Sequence, residues 1–132
     1  MKTNYILSVF LLVSILTLGS CDKRTPPSIA FKTGTGYTSA NATVAKGASV
    51  KVGITASKKE DDMKTYNISY AYDGASSTTT KETFTLTGNE VTSYDKDYDF
   101  TVRNQAGTED WSFTITDKDG NIAKLSIKLT LN

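Results

Sequence analysis

Catalysis and recognition start from nucleophiles, bases, metal ligands and aromatic faces, and this chain of 132 residues holds few of them. It has no histidine and a single cysteine, Cys21. Ser-His-Asp and Cys-His nucleophilic systems therefore lack their base, and the usual Cys and His zinc sets cannot be assembled. Glycosidases need two carboxylates across a cleft, and no spacing among the 14 acidic residues nominates such a pair. The inventory points away from an enzyme. One acidic set does stand out: Asp95, Asp97 and Asp99 alternate, so they project from one face of a strand or loop. Neighbouring carboxylates repel, and a hard cation such as calcium relieves them. An EF-hand-type loop counted from Asp95 needs Gly at its sixth position and Glu at its twelfth, where this chain has Phe100 and Ala106; counted from Asp117 it has Ile122 and Lys128. No metal site is assigned, and a solvated polar strand face with Lys96 among the aspartates accounts for the same pattern.

Aromatic faces are the remaining chemistry, because sugars stack on exposed Trp and Tyr rings. Trp111 shares its side of an alternating run with Phe113 and Ile115, which places it in a core. Tyr66, Tyr70 and Tyr72 could line one sheet face, but Ile68 lies among them and again indicates core. Tyr37 and Tyr94, in loop-like stretches, are the exposed candidates for a ligand.

The elements that must position these residues are strands. Apolar residues recur with a period of two, and clusters of Gly, Asn, Asp and Ser separate the runs. Ile29 and Phe31 open the series, followed by Val50, Val52 and Ile54, then by Tyr66, Ile68, Tyr70 and Tyr72. Phe84 with Leu86 and Tyr98 with Phe100 and Val102 continue it, and Trp111–Ile115 and Leu125–Leu131 complete it. No segment carries a helical stripe. Seven short strands, each with one apolar face, need a second sheet to cover that face, so an all-β, two-sheet antiparallel sandwich is expected. Asp117-Lys118-Asp119-Gly120 supplies a hairpin turn, Asp73-Gly74 and Gly88-Asn89 mark two more, and Ala75–Thr80 reads as a mobile loop.

The N-terminus is of another kind. Lys2 precedes an apolar run, Tyr5–Leu18, broken only by Ser8, Ser14 and Thr17. The run is shorter than the ~20 residues a membrane-crossing helix needs and has the length of a secretion-signal core. Leu18-Gly19-Ser20-Cys21 follows, which resembles the lipobox of bacterial lipoprotein precursors. That resemblance implies cleavage after residue 20, diacylglyceryl on the Cys21 thiol and an acyl chain on its new amine. A lone cysteine in an exported chain is thereby explained. No cofactor beyond this covalent lipid is expected. Cys21–Pro27, polar and then proline-stiffened, reads as a flexible tether, and 28–132 as the folded domain. Without Lys2, 14 basic residues face 14 acidic ones, so charge supports neither nucleic acid nor an anionic membrane surface as partner.

Ala106-Gly107-Thr108, the run Trp111–Asp117, Gly120-Asn121 and the closing alternating strand resemble the end of bacterial immunoglobulin-like and PKD-like modules. The wider likeness is to small Ig-like lipoproteins of Bacteroidota. It implies an immunoglobulin-like sandwich of about seven strands, monomeric, held in the cell envelope by its lipid and more at the outer than the inner membrane. It implies no catalytic residues. Two functions fit: a module presenting loops to a glycan or an envelope protein, and a structural or accessory subunit with no ligand of its own.

Overall fold

The period-two pattern becomes eight strands in the computed structural model, which describes residues 24–132. Cys21 and the expected signal, 1–20, lie outside the described residues. The strands are β1 (Ser28–Phe31), β2 (Ala42–Val44), β3 (Ser49–Ser57), β4 (Met63–Tyr72), β5 (Thr79–Thr85), β6 (Ser93–Thr101), β7 (Gly107–Asp117) and β8 (Ile122–Leu131), with one 3-10 turn at Gly88–Val91. They form a three-stranded sheet in the order β1-β3-β6 and a five-stranded sheet in the order β2-β8-β7-β4-β5. This is a two-sheet sandwich, with β3 and β6 in the places of immunoglobulin strands B and E, β4, β7 and β8 in those of C, F and G, and β5 as the added C′.

Alternation sets the two faces of each strand. Val50, Val52 and Ile54 of β3 meet Phe113 and Ile115 of β7 and Ile127, Leu129 and Leu131 of β8 in one core, which Tyr66 and Ile68 of β4 complete. Fully burying such side chains contributes about 1.5–3 kcal/mol each. The expected architecture holds with three differences. An eighth strand, β2, is only three residues long and pairs parallel to β8, so the sandwich is not wholly antiparallel. Thr79 and Thr80, expected in a loop, begin β5, where the pairing with β4 outweighs their low-complexity context. β6 begins at Ser93, so Tyr94 lies in a strand and not in a loop.

The chain enters the sandwich at one end. Arg24 donates to Asp61 at 3.0 Å and its Nε lies 3.3 Å from Asp119, Thr25 donates to Glu60 at 3.0 Å, and Pro27 is buried. Residues 24–27 of the segment read as a tether thus lie against the β3–β4 and β7–β8 turns. In the latter turn the buried Asp117 carboxylate accepts the backbone N–H groups of Asp119 (3.0 Å) and Asn121 (2.8 Å). Gly120 takes a left-handed φ of 88° there, as the hairpin requires. Among the described residues no helix is long and apolar enough to cross a membrane.

Candidate functional site

At the end of the sandwich opposite Arg24 an inward row of β4 emerges from the core. Tyr66 and Ile68 are fully buried, Tyr70 is half-buried and Tyr72 is 38% exposed. Tyr70 pairs across the ladder with Trp111 of β7. The facing strand, β6, is the edge of the smaller sheet and turns Tyr98 and Phe100 toward them. Ring centroids lie 3.9 Å apart for Phe100 and Trp111, 5.2 Å for Tyr70 and Trp111, 4.8 Å for Tyr70 and Tyr72 and 6.0 Å for Tyr98 and Phe100. These five rings, with Lys81, Asp99 and Thr101, line a cleft of about 280 Å³. Tyr70, Tyr72 and Tyr98 expose ring surface, while Trp111, 3% exposed, backs them from the core. Lys81 arrives by a β-bulge: the β4–β5 register steps from Ile68↔Glu82 to Ser69↔Thr80, which leaves Lys81 without a partner and re-aims its side chain.

A polar network holds the cleft from behind. Glu109, 0% exposed, lies on the same inward row of β7 as Trp111. Its Oε2 accepts the Trp111 indole N–H at 2.7 Å and its Oε1 accepts the Arg103 backbone N–H at 2.9 Å. The Arg103 guanidinium lies 4.4 Å from the Tyr72 ring centroid and donates to Asp73. Asp73 Oδ1 also accepts the Thr108 backbone N–H at 2.9 Å. The Arg103 guanidinium, and after it the Thr108 N–H, hold the Asp73 carboxyl below its usual range. Burial, and then the Glu109 charge, raise the Tyr72 phenol; burial and Glu82 raise Tyr98. Gly107 makes the network fit: its φ is 143°, and a Cβ there would lie 2.2 Å from Asp73 Oδ1.

The aromatic and acidic residues singled out in the sequence fall elsewhere or take other roles. Tyr94 is 6% exposed and packs 5.5 Å from Tyr66, so it is a core residue and not an exposed platform. Tyr37 is half-buried on the outer face of the smaller sheet, away from the cleft, where its hydroxyl donates to Asp97 Oδ2 at 2.9 Å. It lies flat there because residue 53 is glycine; a Cβ would come 2.7 Å from the Tyr37 ring. Asp95 and Asp97 share the Lys32 ammonium, 2.8 Å from Asp97, and Lys51 lies 3.6 Å from Asp97. Lysines thus relieve the repulsion for which calcium was considered, and Asp99, next on the same outward row, borders the cleft at the edge of β6. Among the described residues no group of three His, Cys, Asp or Glu side chains is placed to hold a metal ion. The core placement of Trp111 agrees with the sequence. Tyr98, Lys81 and Glu109 were not foreseen, although Glu109 carried a signal as an acid on the apolar row two residues before Trp111.

No protein-family model matches the chain, and no curated protein matches it in sequence. A chitin-binding domain from Burkholderia pseudomallei is similar in structure, with a TM-score of 0.52 at 9% identity over 70% of this chain and 57% of that one. The chain thus spans less than two thirds of that structure's length, and a likeness at this identity establishes the shared β-sandwich fold.

Proposed function

We propose that the chain is a lipid-anchored, non-catalytic module of the cell envelope that binds glycans in the aromatic cleft. The observation that carries this reading is the set of half-exposed tyrosines, Tyr70, Tyr72 and Tyr98, beside Lys81, Asp99 and Thr101. Apolar ring surface with a few convergent polar groups is the usual build of a small-molecule site. A sugar offers it a C–H face for the rings and hydroxyls for the rim. The similar fold of a chitin-binding domain supports the reading by showing glycan recognition on a sandwich of this kind. Among the residues lining the cleft Asp99 is the one carboxylate, so two-carboxylate hydrolysis has no second partner there.

Placement also fits. The ten-residue β4 runs from Met63, at the end where Arg24 docks, to Tyr72 at the cleft, a span of about 30 Å. A lipid on Cys21 would hold the opposite end at the membrane and leave the cleft facing outward. Lys96 on the inward row of the β6 edge and the bulge at Lys81 in β5 blunt one edge of each sheet, which favours a monomer.

The test is retention of the full chain, in a detergent without a sugar headgroup, on a panel of immobilised bacterial, plant and animal polysaccharides. Retention by at least one polymer, lost in a folded Tyr72→Ala/Tyr98→Ala variant, is expected. Retention unchanged by that variant would remove the cleft from the account, and retention by no polymer would leave an accessory subunit as the better reading.

A further inference from the structure

We infer that the β3–β4 and β7–β8 turns form a base that rests on the headgroups of a zwitterionic phospholipid layer, held there because Arg24 shortens the leash to the lipid. The inference rests on the lipid-anchor reading and adds to it the surface that meets the bilayer; it does not depend on the glycan reading.

Reach comes first. Pro27 is buried and β1 begins beside it at Ser28, paired with Ser57, so the chain leaves the fold at a fixed point. From Cys21 to Pro27 is six peptide units, a reach of about 20–22 Å at full extension. Arg24 halves it. Its Nη1 donates to both Asp61 carboxylate oxygens, at 3.0 and 3.2 Å, and its Nε lies 3.3 Å from Asp119, so one side chain bridges the two turns. Shared between two carboxylates, and with Thr25 donating to Glu60 beside it at 3.0 Å, this is a network rather than an isolated surface pair. From Cys21 to Arg24 the reach is about 10–11 Å. Each headgroup layer is about 5–8 Å thick. Acyl chains on Cys21 lie beneath that layer, so the leash is largely used in crossing it and the turns come down onto the headgroups. With the longer reach the domain would stand clear of them and tumble.

Charge decides the class of lipid. Arg24 and the three lysines of the two turns stand against Glu60, Asp61, Asp62 and Asp119. Lys58 and Lys118 both donate to Asp62, at 3.0 and 2.8 Å, which ties the second turn to the first. A balanced, internally paired surface has no net pull toward an anionic leaflet. The phosphate and ammonium of a zwitterionic headgroup complement both of its signs. Ile122, 59% exposed at the start of β8, adds apolar surface at the same end.

The experiment reconstitutes the mature protein, expressed from the full chain, into phosphatidylcholine vesicles and measures energy transfer to a headgroup-labelled lipid. The donor dye is carried by Lys64→Cys, exposed at the Arg24 end of β4, or by Ser76→Cys, exposed in the loop beyond its other end. With Cys21 acylated, the introduced cysteine is the one free thiol. The Ser76 label is expected about 25 Å farther from the lipid than the Lys64 label, and added phosphatidylglycerol to leave both distances unchanged. Arg24→Ala, which restores the longer leash, is expected to move the Lys64 label outward by up to about 10 Å and to shrink the difference between the two sites. Equal transfer from both sites in the wild type, distances unmoved by Arg24→Ala, or docking only with phosphatidylglycerol present would overturn the inference while leaving the anchor in place. A wild type that does not enter the vesicles would overturn both.

Discussion

The Glu109 carboxylate accepts the Trp111 indole N–H at 2.7 Å while wholly buried on the same row of β7. Burying a carboxylate costs several kcal/mol, and hydrogen bonds to the charged group offset that cost by about 1.5–3 kcal/mol each. Glu109 makes two, to the Trp111 indole and to the Arg103 backbone. Glu109→Ala would leave both donors unpaired in the core. A loss of about 1–3 kcal/mol for each orphaned donor is expected in urea unfolding, with a smaller loss for Glu109→Gln, which keeps an acceptor. An Ala variant as stable as the wild type would show that the pair does not hold the cleft floor.

Trp111 joins the core to the cleft, so its truncation affects both. Trp111→Ala is expected to cost about 3–5 kcal/mol, a large share of the roughly 5–15 kcal/mol typical of a domain. Expression and solubility should fall with it. Fluorescence of the wild type should be blue-shifted and resist acrylamide, because the ring is 3% exposed. A stable Ala variant together with strong quenching of the wild type would contradict the packing.

Alkali acts through the buried phenols. Burial, with smaller effects from Glu90 and Glu82, pushes Tyr94 up to about 12 from an ordinary 10.0, and burial raises Tyr66 as well. A raised folded-state value means that stability is complete below the unfolded value near 10 and is lost as pH rises toward 12, since the unfolded chain ionises first. Unfolding free energy should fall steadily across that window while tyrosinate absorbance lags behind that of the denatured protein. Tyr94→Phe should flatten the decline, and an unchanged slope would remove Tyr94 as its cause.

The anchor is tested chemically. Mass spectrometry of the N-terminal peptide from cells is expected to find Cys21 as the first residue, carrying diacylglycerol and an amide-linked acyl chain, and detergent partitioning to take up the wild type but not Cys21→Ser. An unmodified Cys21, or a wild type that stays in the aqueous phase, would contradict lipidation.

Most of the strands were legible because alternation is a local property: Trp111–Ile115 and Leu125–Leu131 show their two faces without reference to a partner. β6 was half hidden, since Lys96 breaks the apolar row of Tyr94, Tyr98 and Phe100 and made Tyr94 look like part of a loop. β2 was invisible because three residues carry too little period to register. The cleft could not be read at all. Tyr66, Ile68, Tyr70 and Tyr72 form one continuous row in sequence, and only the position of β6 on the facing sheet decides where that row leaves the core. The pairing of Asp95 and Asp97 with Lys32 likewise depends on β1 and β3 bringing a distant residue alongside β6.

The most direct measurement of the central claim is backbone-amide NMR of the isotopically labelled protein during titration with a hydrolysate of whichever polysaccharide retains it. Shifts are expected to concentrate on Tyr70, Tyr72, Lys81, Tyr98, Asp99 and Thr101, and to disappear in the folded Tyr72→Ala/Tyr98→Ala variant. Shifts centred on Tyr37 and Lys51 of the opposite sheet face, or saturable binding with the cleft signals unmoved, would contradict it.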